Sequence, residues 1–91
     1  MVTIPIDAGP DDIAKAIARR FDNLNLQLVW YDHVYVSRDH DSFYYRFADT
    51  KRKYELYVAL IYKRQLLRVY YELRKEGKTI RRSDISYKPK K

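Results

Sequence analysis

Apolar and polar residues alternate at the start of the chain and then change period. Residues 2–6 alternate between aliphatic side chains and Thr3 or Pro5, which predicts a short edge strand, because proline has no N–H for a central ladder. From Pro10 the apolar spacing becomes helical, and Pro10 itself suits the first helical position. The pattern predicts an amphipathic helix that ends near Asp22, with an apolar face of Ile13, Ala14, Ile17, Ala18 and Phe21.

A β-hairpin is predicted between residues 26 and 48. Residues 26–37 are rich in Val, Tyr, Leu and Trp without helical spacing, which favours a strand, and the polar segment 37–42 supplies a turn. Residues 43–48 return as the second strand. Alternation places one side of each strand in the core, namely Leu26, Leu28, Trp30, Val34 and Val36 of the first and Phe43, Tyr45 and Phe47 of the second.

The segment from Lys51 to Glu76 contains no Gly, Pro, Asn or Asp that would mark a turn. All glutamates of the chain lie within it, and Gly77 follows as a helix C-cap. Its later apolar residues fit one helical face, formed by Tyr62, Leu66, Val69, Tyr70 and Leu73. We therefore predict one long helix from about Thr50, with a third strand at 53–61 and a shorter helix as the alternative.

These elements together predict an α+β fold in one domain over residues 1–87. Residues 78–87 form a last edge strand and residues 88–91 a disordered basic tail. Two helices then pack on a small antiparallel sheet in the order β-α-β-β-α-β, or α-β-β-β-α in the alternative. The first order is that of ferredoxin-like domains, many of which bind RNA, but residues 42–47 lack the glycines of the RNA-recognition motif.

Composition narrows the chemistry. With 91 residues and no cysteine, the chain suits one core and offers no disulfide, thiolate zinc site or cysteine nucleophile. No apolar run approaches the roughly 20 residues that span a bilayer, and the N-terminus lacks a signal-peptide pattern, so we expect a cytoplasmic protein. One Met, two Asn and two Gln are few thermolabile residues, which indicates a thermophilic source.

Charge is distributed unevenly along the chain. Residues 1–45 carry four cations and seven acids, a formal net charge of −3, whereas residues 46–91 carry fifteen cations and five acids, a net charge of +10. A basic half of this size attracts polyanions, and counterion release strengthens its contact with a phosphate backbone. The alternative is a solubilising surface with a basic tail.

Two sets of residues are candidates for nucleic-acid contact. The hairpin side away from the core presents rings beside a guanidinium, on which unpaired bases stack: Tyr31, His33, Tyr35, Tyr44 and Arg46. Phosphates are expected to meet the cations of the second half, with two arginines projecting together from the predicted helix: Lys51, Arg52, Lys53, Lys63, Arg64, Arg68, Arg81 and Arg82. The competing interpretations are a covered hairpin face and a salt-bridged helix in which Arg68 pairs with Glu72.

Signatures of catalysis and of metal binding are weak. Gly9 and Gly77 are the only glycines, which excludes glycine-rich phosphate loops. Residues 39–41 are Asp-His-Asp, but consecutive residues of a turn rarely converge on one metal ion. Metal-independent ribonuclease toxins work with Arg, Lys, Tyr and His, all present here, but they place a helical hairpin before the sheet.

We therefore expect a nucleic-acid-binding protein that favours single strands, in which Arg and Lys of the second half hold phosphates and hairpin aromatics stack on bases. The first alternative is a homo-oligomeric structural or accessory protein, such as some viruses encode, with a homodimer as its simplest form. The second is a metal-independent ribonuclease. We expect no metal, no small-molecule cofactor and no membrane partner.

Overall fold

The computed structural model describes residues 4–88, and strands make up most of them. A helix, α1 (Pro10–Arg19), and a short 3-10 turn (Asp22–Leu24) precede five strands, β1 (Gln27–Ser37), β2 (His40–Ala48), β3 (Tyr54–Lys63), β4 (Leu66–Lys75) and β5 (Lys78–Tyr87). The strands form one sheet in the order β1-β2-β3-β4-β5, and each pairs antiparallel with the next. Every connection within the sheet is therefore a hairpin.

The predicted fold with two helices packed on a small sheet is wrong in both of its versions. The predicted long helix from Thr50 to Glu76 is the β3–β4 hairpin. Within this segment, the alternative prediction is right about the third strand and wrong about the shorter helix that follows it. The edge strand predicted at residues 2–6 does not form over residues 4–6, and residues 1–3 lie outside the described part of the chain, as do residues 89–91 of the predicted tail. The first helix, the hairpin at 26–48 and the last strand are confirmed.

The hairpin replaces the predicted helix because its apolar residues also fit a period of two. In β4 the buried apolar side chains are Leu67, Val69, Tyr71 and Leu73, which alternate strictly and lie beside buried Leu56, Val58 and Leu60 of β3. The turn between the strands consists of Arg64 and Gln65, both at positive φ (51° and 65°). Such a turn normally contains Asn and Gly, so the sequence carries no signal that would mark it.

The core lies between α1 and one face of the sheet. Ile13, Ala14 and Ile17 of the helix are buried against β2 and β3. The phenol of Tyr45 donates a hydrogen bond of 2.7 Å to Asp11 in the first turn of α1, and burial together with this bond raises the pKa of Tyr45 above its ordinary value. The bond fixes the N-terminal end of the helix over β2.

Replacing Arg64 with Asn together with Gln65 with Gly tests the hairpin against the predicted helix. Each of these side chains is held at positive φ, at a cost of about 1 kcal/mol per residue, and Asn-Gly relieves that strain. We expect the free energy of unfolding, measured by chemical denaturation, to rise by about 1–2 kcal/mol. In a helix the same glycine would lower it by about 1 kcal/mol, so a less stable double variant would contradict the hairpin.

Candidate nucleic-acid interface

The face of the sheet opposite α1, called here the open face, is not covered by any helix among residues 4–88. The strand register assigns side chains to it row by row. Its aromatic residues come from four neighbouring strands and are Trp30, Tyr44, Tyr57 and Tyr70. Its charged residues are Asp32, Arg46, Glu55, Lys63, Arg68, Glu72, Arg74, Arg82 and Asp84.

A β-bulge at Val29 decides which residues of β1 belong to this face. Leu28 lies opposite Phe47 and Trp30 lies opposite Arg46, so the intervening Val29 has no partner on β2. One extra residue inverts the alternation of the strand that follows. Leu28 therefore shares the helix side with Phe47 as predicted, whereas Trp30 turns to the open face instead of the core.

The predicted stacking platform is divided by this bulge. Tyr44 and Arg46 lie on the open face, but Tyr31, His33 and Tyr35 lie on the helix side, opposite residues 45, 43 and 41 of β2. The prediction that all five share one surface is wrong. Simple alternation along β1 failed because no residue in this stretch marks the bulge.

On the helix side of the sheet, Tyr31 and His33 make contacts of their own with residues of β2. The ring centroid of Tyr31 lies 5.2 Å from that of Tyr45, and His33 stacks on Phe43 at 4.3 Å with the planes 8° apart. The Nε2 atom of His33 lies 2.5 Å from a carboxylate oxygen of Asp41. These contacts stabilise the β1–β2 pairing.

On the open face, rings and guanidinium groups alternate across four strands. The Cζ atom of Arg46 lies 5.7 Å from the ring centroid of Trp30 and 5.9 Å from that of Tyr57. Arg74 places its Cζ atom 5.4 Å from the same Tyr57 ring. These separations are within the range of cation–π attraction. The four residues, Trp30, Arg46, Tyr57 and Arg74, are called here the ring–guanidinium row.

Arg46 occupies the centre of the row without an acidic partner. No ion pair joins it to any carboxylate within residues 4–88, and its buried Nε atom makes no hydrogen bond there. A cation held between two rings without an ion pair is available to an anion from solvent. The two flanking rings also limit its rotamers, so little side-chain entropy remains to be lost on binding.

Glu72 is a buried acid that positions the end of the row. Its carboxylate accepts hydrogen bonds from the hydroxyl of Thr79, from Nε of Arg74 (2.9 Å) and from the phenol of Tyr70 (2.9 Å). These three bonds lower the pKa of Glu72 from about 4.5 to about 2. Glu72 thus stays ionised and holds Arg74 beside the ring of Tyr57.

The predicted phosphate-binding cations do not form one surface. Arg68 and Arg82 lie on the open face, whereas Arg81 lies on the helix side opposite Leu73. Arg68 is salt-bridged, but its acid is Asp84 at 2.6 and 2.9 Å rather than the predicted Glu72. The remaining predicted cations lie at the two ends of the sheet, with Lys51, Arg52 and Lys53 in the β2–β3 loop and Lys63 and Arg64 at the β3–β4 turn.

Sequence analysis missed the residues that complete the row, Trp30, Tyr57 and Arg74. Trp30 was assigned to the core, and the other two fell within the predicted helix. Period-two alternation around Tyr57, where Leu56 and Val58 are buried, is the sequence signal that indicates its outward side. The alignment of the row across four strands depends on register, which one sequence does not show.

No family model, curated protein or solved structure matches this chain. Within residues 4–88, no group of three or more His, Asp or Glu side chains is placed to hold a metal ion. The same range contains no helix that is long and apolar enough to cross a membrane. The open face is therefore interpreted from its own chemistry.

Replacing Glu72 with Gln is expected to remove a pH-dependent part of the stability. The pKa of Glu72 in the folded chain lies below its ordinary value, so its contribution is present above about pH 4.5 and is lost as the pH falls towards about 2. We expect the substitution to lower the free energy of unfolding by about 2 kcal/mol near neutral pH and to have little effect near pH 2. Denaturation curves at several pH values measure this difference.

The matched control is Glu76→Gln, in the exposed β4–β5 turn. This substitution should leave the free energy of unfolding close to that of the wild-type chain at every pH. A loss for Glu72→Gln that is equally large at low pH would contradict an ionised, hydrogen-bonded carboxylate.

Proposed function

We propose that this protein binds single-stranded nucleic acid on the open face, with bases stacked on Trp30 and Tyr57 and phosphates held by Arg46 and Arg82. The observation that carries the proposal is the ring–guanidinium row. Rings offer stacking surfaces for bases of any sequence, and the cations between them attract the backbone.

The geometry of the row supports stacking of more than one base. Trp30 and Tyr57 lie two strands apart, which corresponds to roughly 10 Å across the sheet, with Arg46 between them. A stacked base on each ring would leave the connecting phosphate over the guanidinium. Because the row stands on paired strands, its side chains are held in place before binding.

A single strand fits this surface better than a duplex. Base faces are accessible only when the bases are unpaired, and Trp30 is 45% exposed. No helix of residues 4–88 lies on the open face, so this face presents no recognition helix to a duplex groove.

The charges of the face limit the electrostatic part of the affinity. Arg68 and Arg74 are already paired with Asp84 and Glu72. The cations of the face without an ion pair among the described residues are Arg46, Lys63 and Arg82. Each phosphate contact to a single strand contributes about −0.7 to the slope of log K against log salt. With two or three contacts we expect a slope of about −2.

The fluorescence of Trp30 reports directly on the proposed contact, because it is the only tryptophan of the chain. We expect quenching on titration with a single-stranded oligonucleotide and little change with the corresponding duplex. The titration is repeated with DNA and with RNA at two salt concentrations. Unchanged fluorescence together with undetectable binding to every oligonucleotide would refute the proposal.

Substitution of two adjacent residues identifies the face that binds. Trp30 and Tyr31 are similarly exposed, at 45% and 46%, but lie on opposite faces. We expect Trp30→Ala to weaken binding of a labelled single strand about tenfold or more, in line with roughly 1–3 kcal/mol for a stacked base. Tyr31→Ala is the matched control and should change the affinity less than about threefold. Equal losses would place the contact elsewhere.

A further inference from the structure

Strand β1 is a long edge strand with an unusually apolar surface. All residues from Gln27 to Ser37 are exposed, and nothing in the described range pairs with its outer side. Seven large apolar side chains on it are between 40% and 66% exposed: Leu28, Val29, Trp30, Tyr31, Val34, Tyr35 and Val36. A strand of this kind is a template for pairing with another strand.

The other edge of the sheet has the opposite character. Strand β5 carries Lys78, Arg81 and Arg82. Charged side chains are one feature by which edge strands avoid pairing. Strand β1 carries only Asp32 and His33 among acids, histidines, lysines and arginines, so the two edges differ in how strongly they resist a partner strand.

The backbone of β1 shows which of its groups face outward. The amide of His33 donates a hydrogen bond of 3.0 Å to the carboxylate of Asp32 rather than to β2. His33 therefore directs its N–H and C=O away from the sheet, and alternation gives the same direction to Tyr31 and Tyr35. Three residues in the central part of the edge therefore direct backbone N–H and C=O groups outward, where a partner strand can pair. In the single chain, the N–H of His33 is bonded to the Asp32 carboxylate.

We propose that β1 pairs antiparallel with β1 of a second copy of this chain, about a two-fold axis at His33. The regular part of the strand lies between the register shifts that follow Leu28 and Tyr35, and outward-facing residues must lie opposite one another. An axis at His33 pairs Tyr31 with Tyr35 of the second copy, so that all three outward residues are used. An axis at Asp32 would place two carboxylates opposite each other, which is unfavourable.

The charge distribution favours a second copy at this edge. Strand β1 belongs to the half of the chain with a formal charge of −3, and the half with +10 contains β3, β4 and β5. Pairing through β1 places the two basic halves at opposite ends of the assembly, where their repulsion is smallest. The closed symmetry of this contact also ends growth at two copies.

The paired molecules form one continuous sheet with both α1 helices on the same side. The two open faces then join, and Trp30 of each copy lies near the centre. The proposed dimer is argued from the edge strand alone. It is tested independently of nucleic-acid binding, because its mass is measured without nucleic acid.

Mass in solution tests the proposal on the intact protein. We expect sedimentation equilibrium to give twice the chain mass of 11.1 kDa at micromolar concentration. Tyr35→Pro removes an outward N–H at an edge position, where proline is tolerated, and should give a folded monomer. Tyr35→Ala, the matched control, keeps the N–H and should dissociate at most about tenfold more readily. A monomeric wild-type chain overturns the proposal, and so does a dimer that Tyr35→Pro leaves intact.

Disulfide trapping tests the position of the axis, since the chain contains no cysteine of its own. In the proposed register two copies of residue 33 lie about 5.5 Å apart at Cα, within the range that a disulfide spans, whereas two copies of residue 32 are about 7–8 Å apart. We expect His33→Cys to form a covalent dimer on mild oxidation, and Asp32→Cys and the β5 control Ser86→Cys to form little. Circular dichroism checks that each variant is folded, and efficient trapping through residue 32 or 86 instead would contradict this axis.

Discussion

The antiparallel register of β2, β3 and β4 determines on which face of the sheet most side chains of these strands lie. Burial of Leu56, Val58 and Leu60 beneath α1 sets one side of β3 inward, and alternation then turns Tyr57 outward. Because neighbouring strands are hydrogen-bonded residue to residue, the same choice orients Arg46 on one side of Tyr57 and Glu72 on the other. The open face is thus a consequence of how the opposite face is packed.

A single unpaired residue modifies this assignment at the edge of the sheet. Without the bulge at Val29, Trp30 would lie under the helix side and Tyr31 on the open face. With the bulge, the one tryptophan joins Arg46 and Tyr57, and Tyr31 packs on Tyr45 instead. The same strand therefore contributes rings to both faces, and its outer edge combines apolar side chains with free backbone groups.

Polar interactions act on the two faces in different ways. On the helix side, the bond from Tyr45 to Asp11 ties α1 to the sheet. On the open face, buried Glu72 accepts three hydrogen bonds and fixes Arg74, whereas Arg46 lies between the rings of Trp30 and Tyr57. A fully satisfied acid next to a cation without an ion pair within residues 4–88 gives a surface that is ordered and still attractive to anions.

Local signals in the sequence were sufficient for the elements that they mark. Pro10 predicted the start of α1, the polar residues 37–42 predicted the turn of the first hairpin, and residues 78–87 were predicted as the last strand, which is β5. The uneven charge of the two halves is likewise a property of the sequence alone.

Tertiary structure decided what such signals do not encode. Helical spacing was favoured for residues 62–73, but their apolar residues also fit a period of two. Pairing with β3 selects the strand, although Arg64 and Gln65 of the turn have to adopt positive φ. The bulge at Val29 and the ring–guanidinium row exist only once strands are aligned, because register is a relation between distant segments and not a property of any one of them.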